Sequence, residues 1–412
     1  MLTLRHQVKA TASIFASTLW LVMAVVSMNP AAGDEPPRIG DFVRAANQAG
    51  PGGIGHVETI RAMNAWLNNG TEPIDHLMST LVAMKDSNAR GKNWLVMAAS
   101  TIRGRIQDRD SLNESLQAFF DDRQHDPDAR YFTYRQLVEL NAADGEYLDR
   151  LLAGSVDDPS LPLRFLAIRK SLDDAETIEN DDAAVVTQLE AILPLARHPD
   201  HLGEITKRLE ELDVQVDLAE QLAMIRSWWT VAPFDNTGGG GFEVRYPVET
   251  DYVNNPLDPV SPDRVVSGAD DPLAWIQSST DDAAGMLDLN PIYDNGKDVV
   301  AYAFCLINLT AEDLSGVGSS QATAFEARLG CICANQVWVN GTQVMSNHVY
   351  HSGTSIDQYV APCDLKPGLN SVLVKICQNA QTEPWAQDWQ FQFRLTDSTG
   401  RGIPFEVVTP DS

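Results

Sequence analysis

Apolar and polar positions broadly alternate along the last third of the chain, in Gln336-Val-Trp-Val-Asn-Gly-Thr-Gln-Val344 and again in Trp389-Gln-Phe-Gln-Phe-Arg-Leu-Thr396. A period of two is what a half-buried strand requires, and no helix produces it. Asn340-Gly341 separates the two arms of the first segment and accepts the positive φ angles of a tight hairpin. Strand-like runs over 298–307, 321–330, 336–345, 371–378 and 389–396, set apart by Gly, Pro, Asn and Asp clusters, predict an antiparallel jelly-roll β-sandwich.

Upstream, from about residue 36 to 229, the spacing changes to that of a helix. Ile205, Leu209, Leu212, Val216 and Ala219 recur every three or four residues and would line one helix face. Similar stripes run through 56–67, 94–106, 112–120, 131–140, 163–172 and 185–195. Gly70-Thr-Glu-Pro73, Asp126-Pro127-Asp128, Asp157-Asp-Pro-Ser160 and His198-Pro-Asp200 separate them, each a helix stop followed by a cap-type residue. Short helices on short turns bury their stripes against neighbours, which predicts an antiparallel stack. Leu163-Arg-Phe-Leu-Ala-Ile-Arg-Lys-Ser-Leu172 looks like the inner helix of a HEAT-type repeat, although the repeat period is irregular.

The expected architecture is therefore multidomain α plus β. A HEAT-like α-helical stack over 34–229, its last helix closed by Trp228-Trp229, precedes an antiparallel jelly-roll β-sandwich over 230–412. The junction holds four consecutive glycines, Gly238 to Gly241, between Phe234 and Phe242, which suggests a loop pinned at both ends.

The first 33 residues change the picture of where the chain works. Arg5 and Lys9, an apolar run from Ile14 to Val26, and small residues Ala31 and Gly33 ahead of Asp34 have the order of a secretory signal peptide. The expectation is export to the periplasm or the extracellular space, with no membrane contact beyond that segment. The formal charge is −27, and loss of a segment whose charged residues are Arg5 and Lys9 would take it to −29. Such an acidic surface repels phosphate backbones and anionic lipid, so nucleic acid is not an expected partner. Cys305, Cys331, Cys333, Cys363 and Cys377 all fall in the β region. Cys331 and Cys333 share a strand face, but no second close Cys or His pair follows. Small buried strand residues, with one bridge allowed by export, fit better than a zinc site, and no metal or cofactor is expected.

Candidate chemistry is sparse. Gly50-Pro-Gly-Gly-Ile-Gly55 matches a dinucleotide fingerprint in spacing but follows a helical pattern where a strand is needed, and reads as a loop. Asp281, Asp282, Asp288 and Asn290 could ligate calcium but lack the spacing of a calcium loop. No catalytic signature of recognised spacing is present, which leaves carboxylate pairs for glycoside cleavage untested by sequence. The densest polar and aromatic cluster is His348-Val-Tyr-His351 with Asp357-Gln358-Tyr359, and a second is Gln378-Asn379 with Trp385. Aromatic faces stack on sugar rings while Asn, Gln and Asp bond their hydroxyls. Trp389 belongs to an alternating core stripe, and Trp385, ahead of it, is the better candidate for exposure.

Trp275 through Gly285-Met-Leu-Asp-Leu289, Leu329-Gly330, Val337-Trp-Val-Asn-Gly341, Tyr350-His-Ser-Gly353, Asp357-Gln-Tyr359, Leu365-Lys-Pro-Gly368, Leu373-Val-Lys-Ile376 and the stretch 389–397 together carry a family resemblance. They resemble the C-terminal β-sandwich of uncharacterised exported planctomycete proteins, many of which carry HEAT-like helices upstream. The resemblance implies a galactose-binding-like, carbohydrate-binding-module-like sandwich. Where related jelly rolls place paired acids for calcium before the Val-Trp-Val-Asn-Gly hairpin, this chain has Cys331-Ile-Cys-Ala-Asn-Gln336. The functional expectation is a non-catalytic exported binding or scaffold protein whose sandwich takes carbohydrate or an envelope partner and whose helices mediate protein interaction. The candidate ligand-binding residues are Tyr350, His351, Asp357, Gln358, Tyr359, Gln378, Asn379 and Trp385. The alternatives are a polysaccharide-acting hydrolase using Asp235 or Glu243 at the junction, or a purely structural envelope component.

Overall fold

A computed structural model describes residues 37–257, 266, 272–315 and 325–408; the expected signal segment lies outside them. The chain forms two compact units that divide between Ser115 and Leu116.

In the first unit, α1 (Ile39–Gln48), α2 (His56–Leu67), α3 (Pro73–Val82) and α4 (Ala89–Arg103) bury their apolar stripes. Phe42, Leu77, Leu81, Leu95 and Ile102 form its interior. The Asn88 side chain caps α4 by accepting from Gly91 N at 2.8 Å. The glycine segment at 50–55 is the expected loop, with Gly52, Gly53 and Gly55 at positive φ.

The second unit begins within α5 (Arg109–Asp121) and continues through α6 (Pro127–Leu140), α7 (Gly145–Ala153), α8 (Leu161–Glu176), α9 (Asp182–Ile192), α10 (Pro199–Glu211) and the single turn α11 (Leu218–Gln221). Ile168, Leu172, Leu189, Ile205 and Leu209 knit α8 to α10 into one apolar cluster. Two expectations fail here. The stripe from Ile205 to Ala219 is not one helix, because Asp213 at φ 61 stops α10 and an extended stretch intervenes. Trp228-Trp229 does not end a helix but starts strand β1 (Ser227–Asp235), which sends Trp228 into the sandwich interior and Trp229 against the opposite face.

The sandwich follows. One sheet has the order β2 (Ile276–Ser279), β1, β4 (Val299–Leu309), β9 (Gly368–Gln378), β6 (Ala334–Val339), β7 (Thr342–Asn347), with β11 (Glu406–Val407) on β4; the other runs β3 (Leu287–Asp288), β10 (Gln390–Asp397), β5 (Phe325–Cys331), β8 (Tyr359–Cys363). Neighbours pair antiparallel throughout the described residues. Asn340 at φ 51 and Gly341 at φ 81 make the expected β6–β7 hairpin. Trp228, Trp389, Phe391, Phe393 and Val374 pack between the sheets.

The half-buried pattern does not hold for β6 and β10, because their outer faces are also covered. On the first sheet, α12 (Pro247–Asn254) and the segment before it bury Tyr302, Phe304, Trp338 and Leu373. On the second, Arg394 bridges to Met224 through the backbone and donates to the Leu222 carbonyl at 3.4 Å, so the sheet abuts the end of the helical array. Buried Gln392, Arg394 and Thr396 are thus the polar half of a strand whose second face has been enclosed. All five cysteines are buried free thiols. Burial pushes the Cys363 and Cys377 thiols up to about 12.

Candidate functional site

The glycine loop organises the first cluster. Thr237–Phe242 forms a 3₁₀ turn in which Gly238 and Gly239 take φ 65 and 78, and a Cβ at Gly241 would stand 2.2 Å from the Asp235 carbonyl oxygen. The turn sets Phe242 flat on His348, with ring centres 4.2 Å apart and planes at 7°. From there the rings continue in a line. His348 meets Tyr350 at 5.8 Å, Tyr350 meets His351 at 6.2 Å, and His351 meets Trp385 edge-on at 5.1 Å and 88°. Trp385 is 60 % exposed at the end of this line.

A polar frame lies beside the rings. Asn236 donates through Nδ2 to the Tyr350 hydroxyl at 3.1 Å and to the Gln378 carbonyl at 2.8 Å. Its own backbone N–H donates to the Asp298 carbonyl, and Asp298 N–H donates to the Asn379 carbonyl. His351 adopts φ 57, a left-handed conformation costing about 1–2 kcal/mol, and its Nε2 lies 3.1 Å from Asn379 Oδ1. Burial raises the Tyr350 phenol above its ordinary range, partly offset by the Asn236 bond. Three buried side-chain atoms of this frame, Asn236 Oδ1, Asp298 Oδ1 and His351 Nδ1, have no hydrogen-bond partner among the described residues. Buried polar atoms normally find one, so this vicinity is under-satisfied.

The eight candidates from the sequence do not form one site. Tyr350, His351, Asn379 and Trp385 come together as described. Gln378 backs them from the interior, bonding the Ala386 and Asp388 carbonyls through Nε2. Gln358 and Tyr359 brace the same loop from behind, through Ser352 Oγ at 2.9 and 3.2 Å. Asp357 is excluded from the cluster: its carboxylate is held by Arg328 at 2.7 Å and Arg394 at 2.5 Å. Burial alone would raise that carboxyl, but the bonds and charges of Arg394 and Arg328 prevail and hold it below the usual range. Asp357 thus works as a buried counter-ion between sheet arginines.

Asn236 and Phe242 belong to the assembled site without having been candidates, and His348, part of the sequence cluster but not of the expected ligand-binding set, joins them. The glycine run and its flanking phenylalanines marked the loop, but Asn236 lies 114 residues before its partner Tyr350, a distance no local pattern bridges. At the junction, the Asp235 carboxylate accepts from Thr237 N at 2.9 Å and Thr237 Oγ1 at 2.6 Å, and these bonds hold it below the usual range. Asp282 and Asp288 accept from backbone N–H groups two residues onward, as turn residues do. Among the described residues no group of three or more His, Cys, Asp or Glu is placed to hold a metal. No described helix is long and apolar enough to cross a membrane.

No family model matches the chain, and no curated protein matches it. Among solved structures it is similar to β-glucuronidase from Ruminococcus gnavus in complex with D-glucaro 1,5-lactone, at 14% identity and a TM-score of 0.24, over 42% of this chain and 28% of that one. The same enzyme with N1-substituted and with C6-substituted uronic isofagomine gives 14% identity and 0.24 over 46% of this chain and 34% of those. The chain therefore spans about a third of the length of these proteins, and a likeness this slight assigns no activity to it.

Proposed function

We propose that this chain is a non-catalytic exported protein whose β-sandwich binds a carbohydrate at the ring line ending in Trp385. The observation that carries the reading is an exposed indole set edge-on against His351, with the part-buried Asn379 amide and Tyr350 phenol in contact with that imidazole. An exposed apolar face next to amide, imidazole and phenol groups suits a ring that carries hydroxyl groups. Tyr350 and His351 supply a phenol and an imidazole whose positions are set by Asn236 and Asn379. Preorganisation of this kind lowers the entropic cost of binding. Export follows from the order of charged, apolar and small residues over 1–33.

A glycan-array screen of the full mature chain tests this, followed by titration of the best glycan. Trp385→Ala, at an exposed position, is expected to weaken binding about tenfold, the equivalent of ~1.4 kcal/mol, while leaving the melting temperature in place. Absence of any glycan bound more tightly by the parent than by Trp385→Ala would overturn the reading.

A further inference from the structure

A cavity of about 490 Å³ lies within the second unit, between the first turns of α8 and α10 and strands β5 and β8 of the sandwich. Arg164, Phe165, Arg197, His201, Arg328 and Val360 are among its walls. In a chain of net charge −27 the concentration of cations here is anomalous.

Three neighbouring carboxylates are already committed to other arginines, and buried Asp397, whose charge favours both Arg164 and Arg197 without pairing with either, accepts from Thr399 N, Thr399 Oγ1 and Arg401 N. Asp157 is paired with Arg123 at 2.6 Å, Asp158 with Arg130 at 2.5 Å, and Asp357 with Arg328 and Arg394. Arg164, although only 8 % exposed, donates solely to backbone, from Nε to the Asp158 carbonyl at 2.9 Å and from Nη2 to the Asp157 carbonyl at 2.8 Å. Arg197 donates through Nη1 to the Pro194 and Ala196 carbonyls, and its Nε is buried without a partner. Neither has a carboxylate within ion-pair distance among the described residues. His201, 2 % exposed and stacked on Phe165 at 4.3 Å, also lines the cavity and leaves its buried Nε2 unpartnered. The first turns of two helices of 16 and 13 residues add the positive ends of their dipoles. Asp200, at the cavity rim, has an exposed carboxylate that solvent screens.

A buried guanidinium with no carboxylate at ion-pair distance is only partly compensated, and an entering anion relieves it. The group is electrostatically crowded: Arg197 is pushed down to about 10, first by burial and then by the Arg164 charge.

We propose that this cavity is a binding site for a small oxyanion, a carboxylate, sulfate or phosphate carried on a ring or apolar body that packs on Phe165. Arg164 and Arg197 would provide the charge, His201 a neutral N–H donor, and Phe165 the face. This site is separate from the Trp385 ring line and stands or falls independently of it.

The test uses the full mature chain in calorimetric titration and thermal unfolding against galacturonate, inorganic sulfate and inorganic phosphate, with sodium chloride at matched ionic strength and neutral galactose as controls. At least one oxyanion is expected to bind and to raise the melting temperature where chloride and galactose do not. Preference for galacturonate would identify a carboxylated ring, and preference for sulfate or phosphate a tetrahedral group. Val360→Glu places a carboxylate at the rim on an edge-strand residue that is 49 % exposed, so the unliganded fold is retained. Both it and Arg197→Gln are expected to weaken the oxyanion at least roughly tenfold, while Trp385→Ala leaves that affinity unchanged. Should Arg197→Gln fail to fold, Val360→Glu decides alone. Equal affinity in the parent and Val360→Glu, or no oxyanion effect beyond that of chloride, would refute the site.

Discussion

Replacing Lys375 by Met should cost this protein more stability than any surface change, and the structure shows why. Lys375 Nζ is fully enclosed and donates to Glu249 Oε1 at 2.8 Å, to the Phe242 carbonyl at 3.0 Å and to the Val244 carbonyl at 2.7 Å. Glu249 also accepts the Tyr302 hydroxyl at 2.5 Å. Methionine fills the stem but leaves a buried carboxylate with no cation, which typically costs about 3–5 kcal/mol. The two abandoned carbonyls would add about 1–3 kcal/mol each if wholly dry, but the Val244 carbonyl sits closer to solvent and can rehydrate. A net loss of about 4 kcal/mol is expected. With a urea slope of about 3 kcal/mol/M, the midpoint of the tryptophan-fluorescence transition should fall by about 1–2 M. The double variant Lys375→Met, Glu249→Met should recover much of this, because replacing both charges is often close to neutral, giving a coupling of about 2 kcal/mol or more. A single-variant loss below about 1.5 kcal/mol, or a double variant equal to the sum of the two singles, would show that the pair does not clamp the 242–249 segment to the sheet.

Other outcomes follow from the same reasoning. Gly241→Ala forces a Cβ against the Asp235 carbonyl oxygen, and should destabilise the loop by about 1–3 kcal/mol and weaken glycan binding, read by thermal unfolding and by titration. Arg130→Met, which leaves the buried Asp158 carboxylate only a 3.9 Å ion pair with Arg123 and the Ser160 N–H, should cost about 3 kcal/mol by urea unfolding. His201 is held at about 4, mainly by burial with Arg169 and His198 adding to it, whereas an unfolded imidazole titrates near 6.5. Stability from the neutral ring is therefore complete above about pH 6.5, declines as pH falls toward 4, and levels off below. His201→Phe should flatten that limb by about 1–2 kcal/mol after allowance for solvent screening, and an unchanged pH profile of unfolding would contradict the assignment.

What the chain discloses in advance depends on how local the physics is. Helical stripes located α2, α4, α5, α6, α8 and α9 because each depends on residues three or four apart, while α3 and α7 fell in stretches where no stripe was read, and Asn340-Gly341 located its hairpin because the turn needs those two residues. The fate of Trp385 and Trp389 was legible for the same reason: one precedes the alternating stripe and one belongs to it. Trp228-Trp229 misled because a short apolar run has no period of its own. Alternation in β6 and β10 signalled strands but not their second cover, since α12 and Leu222 arrive from distant sequence. Asp357 looked like a ligand-binding acid because its two arginines lie 29 and 37 residues away. The arginine cavity was invisible for a related reason, as its walls come from two helices and two strands.

The five buried thiols bear on how the protein can be made. No covalent staple joins the strands, so cohesion of the sandwich rests on side-chain packing and backbone pairing alone. Neither an oxidising compartment nor an isomerase is then needed to reach the native state. Material produced in a reducing cytosol should match material produced in an oxidising compartment in melting temperature, and alkylating reagents should label it only after denaturant has opened the β layers.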